Sequence, residues 1–113
     1  MSRYFRVSKA FVSDERQDFV APESLSNKLR SGDRLVLADW DESRKRGVCR
    51  WVGVVVSHDG AGGQTQVEWQ RCFASLSPNP QGYQQWRKPQ GWFQFHQPVA
   101  DRYRLPALFS GWN

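Results

Sequence analysis

Alternating apolar and polar residues mark out strands along most of this chain. From Tyr4 to Phe11, Tyr4, Arg6 and Ser8 alternate with Phe5, Val7 and Lys9, so Phe5 and Val7 share one face and Tyr4 takes the other. Arg34 to Trp40 is a second strand, Val48 to Ser57 a third, Gln64 to Phe73 a fourth and Trp92 to His96 a short fifth. The run Val54-Val55-Val56 lacks polar alternation, which places the third strand at the sheet centre. In the fourth, Val67 and Trp69 face one way and Glu68 and Gln70 the other.

Helical spacing is confined to short stretches. Ala21 to Arg30 reads as a helix: Pro22 is tolerated in a first turn, Glu23 suits the positive end of the dipole, and Lys28 and Arg30 suit the negative end. Leu25 and Leu29 stand one turn apart and dock it on the core. Ser31-Gly32-Asp33 stops it, with Gly32 as a left-handed cap. Asp14 to Asp18 is a polar turn, and Asp41 to Gly47 is a charged hairpin connection ending in glycine. Asp59 to Gly63 is a second hairpin loop; with no Lys-Ser/Thr pair and no helix after it, it is no phosphate cradle. Ser75 to Gly91 is a long Pro- and Gln-rich loop with one helical turn at Tyr83–Trp86, the type of segment in which binding residues concentrate. Pro98 to Phe109 closes the chain, with Leu105, Leu108 and Phe109 packing back.

These elements predict a mainly β, α+β protein with one or two short helices, arranged as a small barrel of five to six strands. At 113 residues the chain is expected to be one domain spanning 1–113. A chain of this size buries roughly 65% of its unfolded surface, enough for a core without disulfide or metal staples. Six tryptophans change the picture. Each removes roughly 150–250 Å² from water when buried, so some build the core and others are available to line a pocket.

The net charge of +5 comes from twelve arginines and four lysines against eleven acidic residues. Arginine is the better residue for phosphate and for stacking on planar groups, although a solvated basic surface has the same charge. No secretory segment opens the sequence, and no apolar run nears the ~20 residues of a membrane helix. The expectation is a soluble, cytoplasmic protein with Cys49 and Cys72 as free thiols. The Met1 start and the short Ser110–Asn113 tail read as a complete chain.

Catalytic patterns are weak. Cys49, His58, Cys72 and His96 are zinc-ligand types, but no pair has the close spacing of a structural site. Cys49 with His58 or His96 lacks an activating helix start. Asp39, Asp41, Glu42 and Glu68 offer carboxylates for a metal-dependent nuclease, without the lysine that would complete a strand-borne set. No enzyme activity, metal or cofactor is expected.

The order Tyr4-Phe5-Arg6-Val7-Ser8-Lys9, a short helix, Gly32-Asp33 before an apolar strand, then Trp51-Val52-Gly53-Val54-Val55 resembles the PUA-like superfamily, nearest its EVE and YTH branches. The resemblance covers about residues 4–70. It implies binding of nucleic acid, DNA or RNA, with a modified or flipped base held in an aromatic pocket, as in bacterial defence proteins. Matched positions are Ser8 and Lys9 after the first strand, Trp40 at the end of the Gly-Asp strand, and Trp51 at the start of the next. Outside the resemblance, Trp86 and Trp92 are pocket candidates by position. A polar floor residue, Asp39 or Ser57, would read the base edge. Phosphate contacts would come from Lys9, Arg44, Lys45, Arg46, Arg87 and Lys88. The alternative reading is an SH3-like small barrel that grips a protein partner in a phage or bacterial defence assembly.

Overall fold

In a computed structural model of the chain, the described residues form five strands in one mixed sheet with short helices against it. The structure describes residues 3–13, 19–59, 64–77, 83–87 and 90–109. The expected turn at 14–18, most of the glycine loop at 60–63 and Lys88 lie outside the described residues. The strands are β1 (Tyr4–Val7), β2 (Arg34–Asp41), β3 (Arg46–Asp59), β4 (Gln64–Leu76) and β5 (Trp92–Phe95), in the order β4-β3-β2-β1-β5. β1 runs parallel to β2, and every other neighbouring pair is antiparallel. A 3₁₀ turn at Lys9–Phe11 and helix α1 (Glu23–Ser26) lie in the β1–β2 connection; α2 (Tyr83–Trp86) precedes β5, and α3 (Gln97–Arg102) and α4 (Leu105–Leu108) follow it.

The mainly β, α+β class is as expected, but the sheet does not close into a barrel. β4 and β5 remain its two edges, and among the described residues four short helices form rather than one or two. The reason is that both faces of the sheet are apolar, whereas a closed barrel offers a single interior. Phe5, Val7, Leu35, Leu37 and Val55 pack with Phe19, Leu25 and Leu29 on one face. Tyr4, Val36, Ala38, Cys49 and Val52 pack on the other with Trp86, Ala100, Leu105 and Phe109 from α2, α3, α4 and the residue after α4. The sidedness of Phe5 and Val7 against Tyr4 therefore holds, yet all four residues of β1 are buried, Arg6 included.

Gly32 has φ +92°, the left-handed value expected of a cap. Asp33 does more than follow it. Its carboxylate accepts from the Arg30 backbone N–H at 2.8 Å and from Arg3 Nε and Nη2 at 2.9 and 2.6 Å, while Gly32 N–H donates to the Val55 carbonyl at 2.7 Å. One buried carboxylate thus ties the end of the helical segment to the chain entering β1. β3 lies second from the edge rather than at the centre, which β2 occupies. Val56, expected inside, is 48% exposed because it is the extra residue where β3 slips against β4 between Val55 and Ser57.

Candidate functional site

The 3₁₀ turn leaves part of one sheet face uncovered. Ser8 caps it: its Oγ accepts from Ala10 N–H at 3.2 Å and donates to Asp39 Oδ1 at 3.3 Å. Lys9 and Ala10 swing outward, opening a depression of about 880 Å³ between Lys9–Ser13, the second half of β2 and the near end of β3. Leu37 and Asp39 line it from β2, with Trp40, Asp41 and Glu42 at the hairpin and Val48, Arg50 and Trp51 from β3. That volume lies within the ~300–1,000 Å³ of small-ligand sites.

Asp39 is held from behind. The Arg6 guanidinium approaches Asp39 Oδ1 at 3.8 Å, donates through Nε to the Ala38 carbonyl at 2.8 Å and lies 5.4 Å from the Trp86 ring centre. Burial pushes the Arg6 pKa down, and the Asp39 charge opposes that shift.

Trp40 is half-buried, its ring 6.0 Å from Trp86 and tilted by 33°, and its Nε1 donates to Glu42 Oε2 at 2.6 Å. Glu42 also meets Lys45 Nζ at 2.5 Å and Arg87 Nε at 3.9 Å. The hydrogen bonds from Lys45 and then Trp40 hold its carboxyl below the usual range. Asp41 accepts from the Ser43 hydroxyl and backbone N–H at 2.7 and 3.0 Å, which fixes the hairpin turn and lowers its own pKa, the hydroxyl bond contributing most. The left-handed residue in this connection is Lys45, at φ +56°. Gly47, expected to end the turn, lies in β3 beneath Trp86, where a Cβ would overlap the indole.

Among the predicted residues, Ser8, Lys9, Asp39 and Trp51 come together at the depression or its wall, while Trp40 borders it at the hairpin with its ring on the other sheet face, against Trp86. Trp86 does not join them. It is 3% exposed, packed 5.1 Å from Phe93 and 6.3 Å from Phe95, and so backs Trp40 instead of offering a face to a ligand. Trp92 is likewise core, donating to Ser24 Oγ at 3.0 Å. Ser57 is corrected as a floor residue: Arg34 pairs with Val54 and Asp39 with Val48, so Ser57 lies at the opposite end of β3, bonded to Gln66 at 3.3 Å. Arg44, Lys45 and Arg46 surround the hairpin, with Arg44 3.7 Å from Asp41 and Arg46 Nη1 3.5 Å from Ser75 Oγ.

Arg50 lines the site, although nothing in the sequence marks it for that place. It is exposed because β3 gains a residue against β2 between Cys49 and Trp51, a register slip with no local signature. In sequence Glu42 reads only as a nuclease carboxylate, and its position between two cations depends on α2 reaching the hairpin.

The cysteines and histidine point elsewhere. Cys49 Sγ lies 3.3 Å from Cys72 Sγ, and burial pushes the Cys49 thiol pKa strongly up. His58 bonds Thr65 Oγ1 at 2.6 Å and the Ser26 carbonyl at 2.8 Å. Among the described residues no group of three or more His, Cys, Asp or Glu could hold a metal ion, and no helix is long and apolar enough to cross a membrane. No family model, curated protein or solved structure matches the chain.

Proposed function

We propose that this protein binds nucleic acid by taking one unpaired base into the depression between the 3₁₀ turn and the β2–β3 hairpin. The observation that carries this reading is the convergence of the half-buried Trp51 indole, a braced carboxylate, Asp39, and two exposed cations, Lys9 and Arg50, on one open concavity, with Trp40 bordering it at the hairpin while its ring packs on Trp86. A base stacked on an aromatic ring gains ~1–3 kcal/mol whatever its sequence. Asp39 can only accept hydrogen bonds when ionised, so it favours a base edge carrying amino or imino donors. Lys9 and Arg50 neutralise the flanking phosphates, which makes binding salt-dependent. The resemblance to EVE-type domains supports the same reading on Ser8, Lys9, Trp40 and Trp51, and leaves DNA and RNA equally served.

The test is fluorescence anisotropy with labelled single- and double-stranded DNA and RNA at low salt. Affinity should fall steeply as salt rises, and Trp40→Ala should weaken it roughly 5- to 100-fold, the range of one stacking contact. A thermal melt of the variant separates lost stacking from lost fold. Unchanged affinity in Trp40→Ala would remove the depression as the binding site. Absence of binding to every oligonucleotide would favour the protein-partner reading instead.

A further inference from the structure

The wall of the depression continues past Trp51 onto the edge strand. Trp51 pairs with Arg71 across β3–β4, and the Arg71 guanidinium lies 5.3 Å from the Trp51 ring centre. Strand alternation returns Phe73 to the same face two residues later. There it is 73% exposed, with the Arg50 guanidinium 5.9 Å from its ring centre. Arg50 itself lines the depression, so the exposed ring is continuous with that site. A single exposed phenylalanine is ordinary on a protein surface. What sets this one apart is its setting: a register slip between Cys49 and Trp51 brings Arg50 opposite it, and Arg71 lies two residues away on the same face with its guanidinium over Trp51. One cation therefore stands beside the ring and a second stands over the neighbouring indole.

We propose that Phe73, with Arg50 beside its ring and Arg71 on the same strand face over Trp51, is a second stacking subsite that takes the nucleotide adjacent to the one in the depression. This rests on the nucleic-acid reading above and narrows its ligand class to single-stranded or locally unpaired nucleic acid. A paired base has no free face to lay on Phe73, whereas an unpaired strand leaving the depression presents its next base to the ring. The two guanidiniums supply the charge that the intervening phosphates require. The arrangement alternates ring and cation from Trp51 through Arg71 to Phe73 and Arg50, which suits a strand whose bases and phosphates also alternate.

The experiment compares an eight-nucleotide single strand, the same strand annealed to its complement, and competing nucleoside monophosphates, using wild type, Phe73→Ala, Phe73→Trp and Trp40→Ala. Phe73→Ala should bind the single strand roughly tenfold more weakly and lose most of the advantage that eight nucleotides hold over a monophosphate. Phe73→Trp should bind at least as tightly as wild type. If Trp40→Ala weakens binding while Phe73→Ala does not, the depression stands and the second subsite is wrong. If neither weakens it, the nucleic-acid reading fails and takes the subsite with it. Loss of concentration-dependent self-association in Phe73→Ala, with oligonucleotide affinity unchanged, would reassign the ring to a protein contact.

Discussion

The guanidinium of Arg6 lies 3.8 Å from the carboxylate of Asp39, joining an enclosed cation to the floor of an open depression. Arg6 is 4% exposed, whereas the Asp39 side chain is 41% exposed. The pair therefore spans the boundary between core and site. Its geometry fixes the direction of the carboxylate, because Ser8 and Arg6 both approach the same oxygen, Oδ1.

Asp39→Asn should cost stability as well as binding. Breaking a fully buried ion pair from one side costs about 3–5 kcal/mol, but this carboxylate is solvent-screened and its partner is distant, so about 1–2 kcal/mol is expected. A urea melt of Asp39→Asn beside Asp39→Ala measures it. Equal stability of both variants and wild type would mean that Arg6 is satisfied by the Ala38 carbonyl and the Trp86 ring alone.

Three glycines should respond to alanine in a defined order. At Gly47 the new Cβ would overlap the Trp86 ring, which is itself fixed against Phe93, Phe95 and Trp40. Overpacking of this kind costs about 1–3 kcal/mol, and Gly47→Ala belongs at the upper end. At Gly53 the Cβ would meet Val67 Cγ1 at 2.6 Å and Trp69 Cε3 at 2.8 Å, half-buried side chains on the edge strand rather than an enclosed ring. Gly32→Ala meets nothing within 4 Å and carries only the strain of φ +92°, about 1 kcal/mol. Chemical melts that rank Gly53→Ala below Gly47→Ala in stability would contradict the packing around Trp86.

The strands were legible because their signals are local. The alternation at Tyr4–Val7, the Gly32 cap, the faces of Val67 and Trp69, and the single turn at Tyr83–Trp86 all follow from residues within a few positions of one another. What was not legible depends on long-range pairing. The alternation of β1 puts Arg6 on a face with Tyr4 and Ser8, and only α2 and the last two helices determine that this face is covered. Gly47 reads as a turn residue until Trp86 arrives from 39 positions away. α2 carries Trp86 into the core against Phe93 and Phe95, whereas its position in the sequence suggests a loop residue free for a ligand. Arg50 and Phe73 gain their exposure from register slips, and Ser57 loses its place at the floor through the antiparallel register of β2 and β3. Two short helices after β5 went unread because Leu105, Leu108 and Phe109 give apolar contacts without a full helical period.

The paired thiols make an alkaline-stability prediction. Cys49 has a raised pKa in the folded protein, mainly through burial, so the native state holds its proton where the unfolded chain releases it. That contribution to stability is complete below the ordinary thiol value of ~8.5 and is lost as pH rises above it. Denaturation midpoints should therefore fall between pH 8 and 10, and Cys49→Ala should flatten that fall. Thiol titration of the native protein at pH 8 should label Cys72 before Cys49, since only Cys72 is partly exposed. Faster labelling of Cys49 would disprove its enclosure.

Glu42 is expected to restrain binding rather than assist it. Its two carboxylate oxygens hold Lys45 and the Trp40 indole, with Arg87 close by, so three groups suited to a nucleotide are turned toward an internal anion. Because its pKa is lowered, first through Lys45, the carboxylate stays charged across neutral and mildly acidic pH, and the restraint persists there. It should weaken only as pH falls through that depressed value, below the range of an ordinary glutamate. Glu42→Gln should tighten oligonucleotide binding by roughly two- to fivefold at pH 7 and low salt, the scale of one exposed ion pair. At a pH below the Glu42 midpoint the variant and wild type should converge. If Glu42→Gln binds more weakly at pH 7, Glu42 is itself a contact, accepting from a donor edge of the base as Asp39 is proposed to do.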